Sequence, residues 1–178
     1  MKRGSMSAAQ EGLTLVELVI ASAITMVVLA GVSAMFAQGL RSQATTVNGD
    51  TATGRAQVVS MSLEKSLRNA RKATISADGR SLAAEVLVSG AWKCQRWELV
   101  VHGSDPLKNT LTYTAGGTTS VLATGASASG GAVFGPPNST VEYGARVTYD
   151  LRVDIANMSA QTEGTILLQG AGTGGATC

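Results

Sequence analysis

The chain has 178 residues, of which 44% are hydrophobic and 15% charged, with a formal net charge of +2. That length suits one folded domain beside an anchor, and the near-neutral balance gives no electrostatic case for nucleic acid as a general ligand. Polarity must come from Ser, Thr and the 21 Gly rather than from charge.

The first twelve residues carry Lys2 and Arg3. An apolar run extends from Leu13 to Ala37, 25 positions in which Glu17 is the one charge. A helix rises about 1.5 Å per residue, so this run reaches across a hydrocarbon core of roughly 30 Å. The basic start keeps the N-terminus cytoplasmic and sends the chain beyond Ala37 outward. A secretory signal peptide would have a shorter core without a carboxylate, then a small-x-small cleavage site. Here Ala21-Ser22-Ala23 lies inside the run. A simple anchor would span equally well without Glu17, and a carboxylate in a membrane helix is retained for a reason or has a partner. A third reading places cleavage ahead of the run, just after Gly12. Without residues 1–12 the chain keeps 12 basic and 11 acidic residues.

From Gln38 to Gly54 the chain is polar, with Gly39, Gly49 and Gly54. A helix that continues but loosens locally is expected there, since glycine costs up to about 1 kcal/mol relative to alanine. Ala56, Val59, Leu63, Leu67 and Ala70 then make one apolar stripe that needs a sheet to cover it. Arg68, Arg71 and Lys72 read as a solvated face near the helix C-terminus, where they meet the negative end of the dipole. The helix is expected to end near Ala73, before the turn signal Ala77-Asp78-Gly79.

Strand patterns come next. Glu85 to Val88 and Arg96 to His102 are short runs, the second with Trp97, Leu99 and Val101 on one face. Thr110 to Thr114 comes after the turn Gly103-Ser104-Asp105-Pro106. The tract Ala115 to Asn138 is rich in Gly, Ser, Thr and Ala, with short strands expected at Val121-Leu122 and Val133-Phe134. In Arg146 to Ala156, Val147, Tyr149, Leu151, Val153 and Ile155 alternate with polar residues, the mark of a half-buried strand. A last strand is expected over Thr165 to Gln169. One amphipathic helix and several strands without intervening helices predict an α+β fold, the helix laid on an antiparallel sheet.

Two cysteines are present, Cys94 and the final residue Cys178. In an exported domain an even count favours a disulfide over two free buried thiols, because chain ends fray unless tied. His102, the single histidine, stands near Ser104 and Asp105. Three residues crowded at a strand end seldom converge as a hydrolytic triad. No ligand spacing suits zinc or calcium, and no phosphate loop ends in Gly-Lys-Ser/Thr. Neither a metal nor a cofactor is expected, and the reading is not an enzyme.

The segment GLTLVELVIASAI closely resembles the class III signal of type IV pilins and pseudopilins. The resemblance implies that a prepilin peptidase cuts after Gly12 and methylates the new N-terminal amine on Leu13. It implies that Glu17, the fifth mature residue, neutralises the amine of a neighbouring subunit during assembly. Leu13 stands where the family usually has Phe, and Glu11 where a basic residue is common. The later segments SLEKSLRNARKATI, Cys94 to Trp97, LTY and VLATGASASGGAVF are similar to J-type pseudopilins and W-type minor pilins.

On this resemblance residues 1–12 form a leader, 13–37 a transmembrane and filament-core half-helix, 38–73 an amphipathic half-helix and 74–178 a β-sheet domain. The implied function is that of a structural subunit, a minor pilin or pseudopilin of a type IV pilus or type II secretion filament. Its implied partners are other subunits through the N-terminal helix, the peptidase, an inner-membrane assembly platform and, before assembly, lipid. The implied location is the bacterial inner membrane, with the C-terminal domain outside, and then the pilus or pseudopilus at the cell surface or in the periplasm. The rival is a membrane-anchored binding or adhesion module that never polymerises.

Overall fold

The computed structural model describes residues 14–172 and Cys178. The leader 1–12 with Gly12, and Leu13, lie outside the described residues. The chain divides into a unit ending at Ala44 and a second from Thr45 to Cys178.

One helix, α1, runs Leu15–Arg68 without a proline. Its assignment is unbroken at Gly39, Gly49 and Gly54, where loosening is expected. Isolated glycines weaken a helix, but cooperative hydrogen bonding on either side carries it through. In the first unit every described residue is exposed. In the second, Ala52, Ala56, Val59, Leu63 and Leu67 are buried, which is the expected stripe with Ala52 added.

The helix ends at Arg68 rather than near Ala73. Asn69 closes its last turn, with Nδ2 donating to the Lys65 carbonyl at 2.9 Å and the backbone N–H to that of Ser66 at 3.1 Å. Strand β1, Ala70–Ile75, begins at once, held between β2 (Ser81–Val88) and β8 (Ser139–Glu142). Ladders on both edges override local helix preference. Ala70 remains buried, so the helical stripe gives its environment but not its element.

Strands β3 (Ala91–Val100), β4 (Thr110–Ala115) and β5 (Thr118–Thr124) complete a sheet of order β5-β4-β3-β2-β1-β8. Every neighbouring pair is antiparallel. The second sheet contains β6 (Ala126–Ser127), β7 (Phe134–Gly135), β9 (Arg146–Ile155) and β10 (Met158–Leu167). Both β6 and β7 pair with β9, which has β10 on its other side. This is the expected α+β layout of one long helix with antiparallel sheets.

Val147, Tyr149, Leu151 and Val153 of β9 are buried as their alternation predicts. Strand β10 begins at Met158, ahead of the expected Thr165, because after Met158 its inward residues up to Ile166 are small or polar and give little hydrophobic signal. Gly164 is one of them. A Cβ there would come 2.6 Å from the Tyr149 ring, and the freed space lets the Tyr149 hydroxyl meet Ser60 Oγ of α1 at 2.6 Å. Trp97 is fully buried, its ring centroid 5.2 Å from that of Tyr113. Val101, expected on the same face, lies past the end of β3 and is exposed.

The basic cluster does not form one solvated face. Arg68 pairs at the surface with Glu64 at 3.6 Å. Arg71 is the extra residue of a β-bulge in β1. Its Nε donates to Glu85 Oε2 at 2.6 Å, and its guanidinium lies 4.9 Å from the Trp92 ring centroid. Glu85 is 5% exposed, and a buried carboxylate is tolerated when it is paired and hydrogen-bonded.

Candidate functional site

Thr14 caps the helix. Its Oγ1 accepts the Glu17 N–H at 3.3 Å, and its carbonyl accepts the Leu18 N–H at 3.1 Å. Threonine with glutamate three residues on is the capping-box pattern. A first-turn carboxylate also meets the positive helix end, worth about 0.3–1 kcal/mol. Glu17 therefore occupies a position that the helix itself favours. Thr14 escapes notice inside an apolar run, although Thr14-Leu15-Val16-Glu17 carries the capping signal. Among the described residues no ion pair reaches Glu17.

Behind this turn the helix is built for apolar surroundings. An 18-residue window has mean hydropathy 2.4, and none of it is buried within the protein. Its hydroxyls are satisfied internally: Ser22 Oγ donates to the Val19 carbonyl at 2.8 Å and Thr25 Oγ1 to that of Ala21 at 2.7 Å. Back-bonded hydroxyls of this kind enter lipid or a protein core without leaving a polar group unpaired. The segment is long and apolar enough to cross a membrane, consistent with a single-pass anchor.

In the second unit Cys94 of β3 and Cys178 lie at disulfide distance, with Cα atoms 5.4 Å apart. After β10, residues 168–170 bond to backbone groups outside their own sheet. Leu168 N–H donates to Ala145, Gln169 N–H to Arg68 and Gly170 N–H to Ala70, each at 3.0–3.1 Å. A Cβ on Gly170 would lie 2.6 Å from the Asn69 carbonyl oxygen, so this close approach requires glycine. Arg71 Nη1 then reaches the Gly172 carbonyl at 3.5 Å.

The His102 neighbourhood is a turn. Asp105 Oδ1 accepts the Leu107 N–H at 3.1 Å, capping a short 3₁₀ helix at Pro106–Lys108. The His102 ring nitrogen Nε2 lies 3.5 Å from Thr110 Oγ1, and the backbone N–H of His102 donates to Asn109 Oδ1 at 2.9 Å. The structure does not bring Asp105 to the imidazole; its carboxylate serves the cap and an ion pair with Lys108 at 3.7 Å.

Residues 7–33 match the prokaryotic N-terminal methylation motif. No curated protein and no solved structure matches the chain. The motif, carried on a long apolar N-terminal helix, fits a type IV pilin-like protein.

Proposed function

We propose that the chain is a structural filament subunit, a minor pilin or pseudopilin of a type IV pilus or type II secretion filament, close to the J-type and W-type subunits. The observation that carries this reading is the methylation motif at residues 7–33 on a helix whose first turn holds Glu17. A prepilin peptidase cuts between Gly12 and Leu13 and methylates the Leu13 amine. The apolar half-helix first holds the subunit in the inner membrane, with the sheet domain outside. It then leaves lipid for the filament core through the assembly platform and packs on other subunits' helices.

Glu17 sets register in this scheme. In the filament it meets the positive amine of a neighbouring Leu13, and at low effective dielectric such a pair is far stronger than in water. The Cys94–Cys178 disulfide ties down the C-terminal segment in the oxidising compartment. No step calls for a catalytic group, and the recognition surface, if the subunit carries one, belongs to the sheet domain.

Mass spectrometry of the protein from its own cells tests the reading. The expected mature N-terminus is N-methyl-Leu13. An intact leader, or a cut beyond Ala34, would instead support an anchored adhesion or binding module that never polymerises.

A further inference from the structure

Strand β10 is a sheet edge. It pairs with β9 alone, over its 10 residues and without a register shift. The phase of that ladder is fixed, because the Leu168 N–H donates to the Ala145 carbonyl and Leu167 faces Arg146. Antiparallel partners exchange hydrogen bonds at every second residue. Even-numbered residues of β10 therefore turn their backbone groups to β9, while Ser159, Gln161, Glu163 and Thr165 turn theirs away. Among the described residues these last form no backbone bond to another element. Natural edges are blunted by proline, lysine or a bulge, and Met158–Leu167 has none of these.

Beside the edge lies a groove of about 470 Å³, between Ala56, Gln57 and Met61 of α1 and Ser159 to Thr162 of β10. The inner face lacks cover here. Leu151 and Val153 of β9 are fully buried, whereas their register partners Thr162 and Ala160 are half-buried and Met61 is 70% exposed. The outer face lacks a cation. Glu163 stands directly opposite Asp150, and like charges so placed are unfavourable. Gln161 Nε2 donates to Asp150 Oδ1 at 2.9 Å, but neither carboxylate has an ion pair among the described residues.

We propose that the β10 edge binds an extended peptide segment of another protein, which adds a strand to the sheet and sets a Lys or Arg opposite Glu163. Strand addition gives the outward backbone groups their missing partners. Successive side chains of the added strand point to opposite faces. Small apolar ones lie inward over Ala56, Met61 and Ala160, and the basic one lies outward, its Cβ about 4.5–5.5 Å from that of Glu163. The charge selects against a second copy as the occupant. Strands β5, β6, β7, β8 and β10, which such a copy would offer, contain no Lys or Arg. Recognition of this kind uses the second unit alone and does not depend on polymerisation.

The test titrates the full-length protein in detergent micelles with synthetic peptides of alternating Ser and Val, the central Ser replaced by Lys or by Glu. Backbone amide exchange is followed by NMR. In the free protein the Gln161 and Glu163 amides should exchange at least about tenfold faster than those of Ala160 and Thr162, which bond to β9. The Lys peptide should slow Gln161 and Glu163 by more than about tenfold. The Glu peptide should bind about fivefold more weakly, because it sets a third carboxylate beside Asp150 and Glu163. Glu163→Lys changes an exposed position, so it should leave Tm unshifted and reverse the preference. Unchanged exchange at β10 with both peptides overturns the proposal, as does equal affinity for the two. Protection of Gln161 and Glu163 that grows with protein concentration, without peptide, assigns the edge to a second copy and overturns it too.

Discussion

Leu29 and Leu63 are the same residue type on the same helix, yet Leu29 is 60% exposed and Leu63 is fully buried. The carboxylates show the same division. Glu85 is buried against Arg71, whereas Glu17 is exposed and unpaired among the described residues. In the second unit the chain supplies its own cover, through a stripe that meets a sheet and a charge that meets its counter-charge. In the first unit it supplies the apolar surface and the charge but not their partners. Fully burying a leucine is worth about 1.5–3 kcal/mol, so a run of exposed Leu, Val and Ile holds much unrealised stabilisation. Such a surface is stabilised where lipid or other apolar helices cover it, whereas the second unit buries a core of its own.

The strongest way to break this contrast is at Glu17. Glu17→Ala should leave insertion, cleavage and the stability of the second unit unchanged. On the proposed pairing, incorporation into sheared filaments should fall by more than about tenfold, since the change would leave a neighbour's Leu13 amine unpaired in an apolar setting. Wild-type amounts of the variant in filaments would argue against the registration role, or for a position at the tip.

A second test sets the two leucines against each other. Leu63→Ala should cost about 2–5 kcal/mol in unfolding of the second unit, the usual penalty for a cavity in a packed core. Leu29→Ala should leave that unfolding transition unmoved. Equal effects in calorimetry or denaturant melts would erase the distinction between the units.

A third change, Cys178→Ser, probes how the second unit secures its own end. The sequence separation of 84 residues corresponds to about 4.5 kcal/mol of loop-closure entropy in the chain-entropy model. The expected loss is smaller, about 2–4 kcal/mol, because the hydrogen bonds of Gln169 and Gly170 also hold this segment. Non-reducing peptide mapping should recover Cys94 linked to Cys178. Two freely alkylated thiols in protein from its native compartment would show that the bond does not form there.

The smallest expected effect is at Asp78, in the turn after β1. The Ser76 hydroxyl donates to it at 2.6 Å and the Arg80 N–H at 3.1 Å, which hold its carboxyl below the ordinary value of 3.8. A folded-state value below the unfolded one adds stability above the unfolded pKa, and that stability is lost as pH falls through the folded value. Asp78→Asn should therefore flatten the acid limb of the stability profile slightly. Indistinguishable profiles between pH 2 and pH 5 would show that this turn contributes nothing by titration.

How far each element can be read in advance depends on whether its determinants are local. The buried stripe through Leu63 and Leu67 and the alternation of Val147 to Val153 are periodicities, and periodicity survives in a linear sequence. Strand β10 is only half visible, because Ala160, Thr162 and Gly164 face inward without being strongly apolar. At the candidate site the apolar run and Glu17 are plain, while Thr14 goes unnoticed because a cap is one hydroxyl and not a pattern of burial.

The order of residues alone dictates a membrane-length apolar helix with one first-turn carboxylate, a second helical stripe needing cover and an α+β layout. These arise from composition and from periods of 3.6 and 2, which act between near neighbours. Folding in three dimensions settles the rest: the helix stops at Arg68, Arg71 bulges from β1 to meet Glu85, and Leu168 to Gly170 bond to Ala145, Arg68 and Ala70. Each of these depends on groups distant in sequence. Residues 70–73 suit a helix until β2 and β8 offer hydrogen-bond ladders on both edges, and only the folded chain presents them.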